Sequence, residues 1–285
     1  MTITKKTIIS MIALGLAATA PVKAQTLAVS QGDLLLSFYQ DNGGGSYGAN
    51  TYVYNLGSAA AWRENTISLN LIANIGADLT TAFGSDWATD TTLRMGLIGG
   101  FNGSFSGSGD PARTIYISKG LTSFEPGSTS TPVLSTQPRG TVSTALGGYL
   151  NGLNGQDLNG GTLGAIIPVG QNTDYTDYGP TNFGASVNPN AIFTGNTIGT
   201  GAGGYDVLAA LDLYRILNSA PSEADLSAGL SPGNAVVGTG QYIGSFTLDS
   251  SGNLRIDAVP EPSTYALVGL GLMAFLLFRR RQRTA

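Results

Sequence analysis

The sequence predicts a mainly β protein: an antiparallel β-sandwich or jelly-roll-like ectodomain with one or two short helices. Short apolar runs, in which β-branched and aromatic residues alternate with polar ones, are separated by stretches rich in Gly, Asn, Ser and Pro. The 285-residue chain has 41 glycines and no cysteine, so turns are frequent and no disulfide supports the fold. It has no fixed-period repeat, which disfavours a propeller or a solenoid.

The first 24 residues have the pattern of a secretory signal peptide. Two lysines precede an apolar stretch over residues 8–20, and a small side chain stands at Ala24. We expect signal peptidase to cleave between Ala24 and Gln25, because a competing site four residues earlier would place a proline directly after the cut. The apolar stretch is also too short for an ordinary membrane span, which argues against an uncleaved anchor.

The body of the protein, residues 25–258, begins with a predicted β-hairpin. Residues 34–39 and 50–56 have the composition of strands and are separated by a glycine-rich turn. Further strands are predicted over 93–101 and 114–118, with a polar loop between them. The body is long enough to form one packed domain.

Helix signals are fewer in the body. Apolar residues at spacings of three and four predict an amphipathic helix over 69–83 that ends at Gly84. A short helix is predicted over 142–150. Residues 207–217 fit a helix or a strand, and we predict a strand that precedes the terminal hairpin. That hairpin consists of 242–248 and 254–256.

Charge and composition exclude several classes of function. Of the 14 basic residues, seven lie in the two terminal segments, whereas 17 of the 18 acidic residues lie in the body. The formal side-chain charge of the body is therefore −10, and such a surface repels nucleic acid. The chain has no histidine and no cysteine, so Ser-His-Asp triads, Cys-His nucleophiles and His- or thiolate-ligated metals are impossible. We therefore expect the body not to be an enzyme.

Two alternatives to a purely structural body remain open. A glycosidase needs only two carboxyl groups, and the body has the glutamates Glu64, Glu125 and Glu223, none of them in a recognisable motif. The stretch over residues 172–180 combines carboxylate and amide oxygens as a calcium loop does, or it is an Asp-rich turn. Its tyrosines also suit a sugar-binding face. Outside these alternatives we expect no cofactor.

The C-terminal segment, residues 259–285, has three parts. The tripeptide Pro260, Glu261 and Pro262 precedes an uncharged run over 264–278, which as a helix rises about 22 Å and is a short transmembrane span. Four arginines follow it: Arg279, Arg280, Arg281 and Arg283. By the positive-inside rule, these arginines keep the C-terminus in the cytoplasm and leave the body outside.

This three-part segment resembles the PEP-CTERM sorting signal of Gram-negative bacteria. The resemblance rests on the Pro-Glu-Pro motif at 260–262, the predicted helix over 264–278 and the basic end at 279–283. It implies an exosortase as the processing enzyme, a precursor held transiently in the inner membrane, and release of the body to the cell surface or the extracellular matrix.

Together these observations predict an exported surface or matrix protein with a structural or adhesive body. The expected partners are the membrane, signal peptidase, an exosortase-like enzyme and an extracellular polysaccharide, and nucleic acid is not among them. The alternative is a secreted module that binds or hydrolyses glycans. A cleft with two carboxyl groups and flanking aromatic side chains would favour that alternative.

Overall fold

A computed structural model describes residues 26–64, 70–102, 110–134, 136–154, 163–170, 190–201, 203–218 and 237–257. Within these ranges the chain forms strands β1 to β12, which span, in order, Asp33–Gly43, Ser46–Ser58, Asn70–Asn74, Leu93–Gly100, Ile115–Gly120, Gly164–Pro168, Asn190–Ile192, Gly199–Thr200, Asp206–Val207, Ala209–Ile216, Gly240–Leu248 and Asn253–Asp257. The helices α1, α2 and α3 span Ala59–Glu64, Gly76–Phe83 and Thr136–Leu153, and a 3-10 turn spans Trp87–Thr89.

The mainly β, antiparallel class is confirmed, but the arrangement differs from the predicted sandwich or jelly roll. In the described part of the chain, ten strands form one sheet in the order β3-β12-β11-β10-β5-β4-β1-β2-β6, with β7 paired to β4. Strands β8 and β9 form a separate pair. Every pairing is antiparallel. One curled sheet therefore takes the place of two facing sheets.

The curl of the sheet is visible in its main hydrophobic core. This core collects alternate residues of strands from both halves of the sheet, such as Leu36 of β1 and Ile256 of β12. Trp62, in the helix that follows β2, packs edge-on against Phe246 of β11 with ring centroids 5.4 Å apart. Four strands lie between β2 and β11 in the sheet order, so this contact requires the sheet to bend around the core.

A second core covers the opposite face of the sheet. Leu35 of β1, adjacent to Leu36, points into it, as the period of two in a strand requires. Helix α3 supplies Leu146, Tyr149 and Leu150 to this core, and all three are buried. Both faces of β1 are therefore buried, which explains its nearly continuous apolar sequence.

Both predicted hairpins are confirmed. Strand β1 pairs with β2, and β11 pairs with β12. The ambiguous residues 207–217 contain strand β10, as predicted, and it pairs with β5 and β11. The predicted strands at 93–101 and 114–118 correspond to β4 and β5.

The predicted helix over 69–83 is wrong in its first half. Asn70–Asn74 form strand β3, which pairs with β12, and helix α2 begins only at Gly76. The helical spacing of the apolar residues continues through β3, but an edge position beside the last strand determines the conformation there. The end of the helix at Gly84 is confirmed, with φ +93° at that glycine. Helix α3 is longer than the predicted 142–150, because it begins at Thr136.

The two predicted targeting segments lie outside the described residues. These are the signal peptide over 1–24 and the C-terminal segment over 259–285. Among the described residues, no helix combines the length and hydrophobicity that crossing a bilayer requires. The predicted span over 264–278 therefore stays a prediction.

Candidate functional site

The candidate functional site is the place where the folded body meets the C-terminal segment. Strand β12 is the last described element and ends at Asp257. It pairs with β11 from Leu254 to Asp257, and with β3 from Asn253 to Ile256. Pairing on both sides, together with the burial of Leu254 and Ile256 in the main core, holds this strand inside the sheet.

The start of β12 is fixed by a tightly bonded turn. The Asp249 carboxylate accepts hydrogen bonds from the backbone N–H groups of Ser251 and Asn253 at 2.9 Å, and from Asn253 Nδ2 at 2.8 Å. Gly252 lies at φ +80°, directly against the backbone of Gly76 at the start of α2. The turn between β11 and β12 is therefore packed onto α2.

The end of β12 is bonded much more sparsely. Asp257 is only 7% exposed, and its Oδ2 accepts a hydrogen bond of 2.7 Å from the Tyr205 hydroxyl. Its Oδ1 is buried and accepts no hydrogen bond from the residues that the structure describes. Burial raises the pKa of the Asp257 carboxyl, and the opposing effects of Tyr205 and Arg255 on this pKa are smaller.

Tyr205 connects this carboxyl group to neighbouring strands. Its hydroxyl also lies 2.9 Å from Thr247 Oγ1 on β11, and its ring packs against a small cluster that includes Val207. The Arg255 guanidinium lies over the ring, 4.6 Å from the centroid, in a cation–π contact. Burial, together with the adjacent Asp257 carboxyl, raises the pKa of Tyr205 to about 12, so the hydroxyl is protonated and able to donate at neutral pH.

We call the Tyr205–Asp257 hydrogen bond the exit latch, because it joins the last described residue of the body to a loop before β9. Tyr205 reaches this position through a glycine-rich turn in which Gly204 lies at φ +80° and its N–H donates to the Gly201 carbonyl. These glycines therefore have a structural role as turn residues. The stretch over 199–204 also lacks the Gly-Lys-Ser/Thr sequence of a phosphate-binding loop.

A protein-family model matches the segment that comes directly after the exit latch. The PEP-CTERM protein-sorting motif matches residues 258–281, beginning one residue after Asp257. The chain carries a PEP-CTERM sorting motif. The resemblance predicted from the sequence is thereby confirmed, and it supports an exosortase substrate that is exported and first anchored in the membrane. The comparisons with curated proteins and with solved structures gave no match.

The PEP-CTERM match covers the predicted sorting residues Pro260, Glu261 and Pro262, together with the arginines 279–281. It ends before Arg283. All of these residues lie outside the described part of the chain, as do the cleavage residues Ala24 and Gln25. Their roles therefore rest on sequence.

The other candidate sites are only partly described. The possible calcium and sugar-binding stretch at 172–180 lies outside the described residues, as does Glu223. Glu64 ends α1, and Glu125 lies in the loop after β5, where its backbone carbonyl accepts a hydrogen bond from Ser128 N. Within the described ranges, no group of three or more acidic side chains is arranged to hold a metal ion.

Sequence reasoning did not find the exit latch or two further buried carboxylates. Asp212 on β10 accepts from the N–H groups of Gly127 and Thr129 and from Ser245 Oγ. Asp110 accepts from Arg63 and Arg215, each at 2.6 Å. All of these partners are remote in sequence and come from loops or other elements, so no local pattern marks the three acids.

Proposed function

We propose that this protein is an exported cell-surface or extracellular-matrix protein whose body is structural or adhesive and not catalytic. The observation that carries the proposal is the PEP-CTERM motif at 258–281, directly after the last described strand of a folded β domain. In this proposal the C-terminal segment directs the sorting of the body. After release, the body lies in a layer that contains extracellular polysaccharide.

The proposed route uses both ends of the chain. Signal peptidase removes residues 1–24, the segment over 264–278 anchors the precursor in the inner membrane, and an exosortase processes it near Pro260–Pro262. The arginines from 279 onward keep the short C-terminal tail on the cytoplasmic side. The acidic body, with a side-chain charge of −10, remains soluble after release because like charges repel.

The buried carboxylates support a non-catalytic body. Asp110 and Asp212 are buried, and both carboxylate oxygens of each accept hydrogen bonds from neighbouring protein groups. Such contacts hold loops onto the sheet. A general acid or base instead needs an oxygen within reach of a substrate.

The test of sorting is the intact mass and location of the protein in cells with and without the exosortase. With the enzyme, we expect a mature species that begins at Gln25, lacks the residues after the motif, and is found at the surface or in the medium. Without the enzyme, the full C-terminal segment stays on the protein in the inner-membrane fraction. Retention of that segment in both strains would contradict the proposal.

A pair of variants tests whether the two prolines of the sorting motif are required for processing. Replacing Pro260 and Pro262 together with alanine is expected to leave the precursor in the membrane, because the recognition tripeptide is lost. Pro221→Ala, a single proline change within the body, is the control and is expected to be processed like the wild type.

A second measurement tests the absence of catalysis. The released protein is incubated with the polysaccharide of its own cells, and retention without shortening of the glycan chains is the expected result. Release of oligosaccharides would contradict a non-catalytic body and would favour the alternative of a glycan-hydrolysing module.

A further inference from the structure

The distance between the folded body and the sorting motif is set by very few residues. Only Ala258 and Val259 separate Asp257 from Pro260. Three steps between successive Cα atoms span at most about 11 Å even when the chain is fully extended. An enzyme that acts near the motif therefore works within about 11 Å of a strand that is paired inside a sheet.

Processing of a peptide segment beside a folded domain depends on local opening. A cleaving enzyme binds several residues in an extended form, and its rate follows the population of the open form when opening and closing are fast. Here the residues before the motif are those at the end of β12. The contacts that hold Asp257 in the sheet therefore determine how much of the chain an enzyme reaches.

Asp257, the last described residue of β12, is held by fewer described contacts than Ile256. Among the described residues, pairing with β3 reaches Ile256, opposite Asn70, and pairing with β11 reaches Asp257, opposite Ser245. Release of Asp257 therefore breaks its pairing with β11 and its bond to Tyr205. One residue earlier, the Ile256 side chain is buried in the main core, and this burial stops the opening.

Among the described residues, the Asp257 carboxylate also has fewer hydrogen-bond partners than the buried carboxylates of Asp110, Asp212 and Asp249. One oxygen of Asp257 has the Tyr205 hydroxyl as its partner, and the other has no partner among the described residues. A buried carboxylate with an unpartnered oxygen gains part of its lost hydration when it leaves the sheet. This difference favours opening at Asp257 over opening elsewhere along β12.

We propose that the exit latch limits the rate at which the sorting motif is processed. The processing enzyme acts on the form in which the Tyr205–Asp257 bond is broken and Asp257 has left the sheet, while the remainder of the body stays folded. This inference rests on the proposed function, because it assumes that the motif is processed. The inference adds that a contact within the body, the exit latch, regulates processing of the sorting motif.

The experiment follows processing by pulse-chase labelling of the full-length protein in cells that contain the exosortase. Tyr205→Phe removes the hydroxyl and keeps the ring under Arg255. Loss of a hydrogen bond to a charged group is expected to raise the processing rate about tenfold. Asp257→Asn keeps an acceptor for the Tyr205 hydroxyl and removes the buried charge that favours opening, so it is expected to slow processing, and the result does not depend on one variant.

Tyr52→Phe is the matched control. The Tyr52 hydroxyl donates to the Asp78 carboxylate at 2.7 Å, the same length as the exit latch. Five strands lie between β2 and β12 in the sheet order, and Asp78 lies in α2, beside the turn that begins β12. The processing rate of Tyr52→Phe is expected to equal that of the wild type. Limited proteolysis of the full-length precursors in cells without the exosortase is expected to give the same resistant body for both variants.

A flexible insertion separates the latch from general effects on stability. Four Gly-Ser residues inserted between Ala258 and Val259 bring the motif within reach without opening, so processing is expected to be fast and insensitive to Tyr205→Phe. Equal rates for wild type, Tyr205→Phe and Asp257→Asn, without the insertion, would overturn the latch and leave the proposed function intact. If the wild type is not processed even with the exosortase, the proposed function itself fails and the latch fails with it.

Discussion

The two ends of β12 are held in different ways. At its start, the Asp249 carboxylate accepts three hydrogen bonds within the turn, and Gly252 lies against the backbone of Gly76. At its end, the Asp257 carboxylate accepts one hydrogen bond from the described residues, and burial raises its pKa. Both carboxylates belong to the same hairpin and both are largely buried.

By these contacts the strand is held more firmly where the chain enters it, which we call the fixed end, than where the chain leaves it, which we call the releasable end. The fixed end is packed onto α2 and onto β3 through Asn74, whose side chain donates to the Ser251 carbonyl and to Asn253. The releasable end precedes the sorting motif. The same sheet therefore combines a firm anchor and a weak one within five residues, and the following substitutions test whether the contrast is real.

The largest effect is expected at the fixed end, from Gly252→Ala. The residue lies at φ +80°, and a Cβ there would overlap the backbone of Gly76, so conformational strain and steric overlap act together. We expect the free energy of unfolding to fall by about 3 kcal/mol, measured by chemical denaturation of the exported body.

Gly45→Ala is the matched control for Gly252→Ala. Gly45 lies at φ +81° in the β1–β2 turn, and no atom of the described residues lies within 4 Å of the position that an added methyl group would occupy. It has the backbone strain without the overlap, so a loss of about 1 kcal/mol is expected. Equal losses for the two variants would show that packing of the turn onto α2 contributes nothing.

The next effect is expected from Asp249→Ala, also at the fixed end. This change removes the acceptor of three hydrogen bonds, two of them from backbone N–H groups. We expect a loss of about 2 kcal/mol. Asp41→Ala provides the comparison, because Asp41 accepts from the backbone of Gly43 in an exposed turn. A loss for Asp41→Ala as large as that for Asp249→Ala would contradict the fixed end.

At the releasable end, Asp257→Asn is expected to raise the stability of the protein, whereas the preceding variants lower it. A carboxyl whose pKa is raised on folding adds stability below its unfolded pKa, about 3.9, and this contribution is lost as the pH rises through the higher folded pKa. The wild type therefore bears the cost of a buried charge at pH 7, and the neutral amide does not. We expect a higher melting temperature for the variant at pH 7, and a smaller difference at pH 4.

Asp90→Asn is the control for the pH dependence. Burial acts to raise the pKa of Asp90, but hydrogen bonds from Gln40 and Thr92 outweigh it and lower this pKa overall. Its contribution to stability is therefore present above the unfolded pKa and lost as the pH falls through the folded value. The variant is expected to be less stable than the wild type at pH 7. Differences of the same sign for Asp257→Asn and Asp90→Asn would contradict the assignment.

The smallest effect is expected from Arg255→Lys. The guanidinium lies 4.6 Å from the centroid of the Tyr205 ring, and lysine keeps the charge but not the planar stacking. A loss of about 0.5–1 kcal/mol is expected, measured by the same denaturation.

Much of the strand content was readable from the sequence, and the sheet topology was not. The hairpins β1–β2 and β11–β12 were found because each has two alternating runs around a Gly- and Asn-rich turn. The sequence predicts a helix where β3 lies, because the spacing of its apolar residues also fits a period of 3.6. The conformation of β3 depends on Asn253 and its neighbours in β12, which lie 179 residues from Asn74 in the sequence.

The candidate site divides in the same way. The sorting motif was readable because its three parts are consecutive in sequence, and the family match confirms it. The exit latch was not, because Tyr205 and Asp257 are 52 residues apart and each is an ordinary residue in its own segment. Asp257 became informative only when its burial and its hydrogen bond to Tyr205 were known.

The position of β12 between β11 and β3 also determines when the domain is completed. In the described sheet β3 pairs only with this last strand, although its own residues come from the first third of the chain. An antiparallel ladder requires both of its strands. Strand β3 crosses the envelope early and cannot form its ladder until β12, near the other end of the body, has followed. Such non-local pairing slows folding. Completion of this part of the sheet therefore requires the strand that directly precedes the sorting motif.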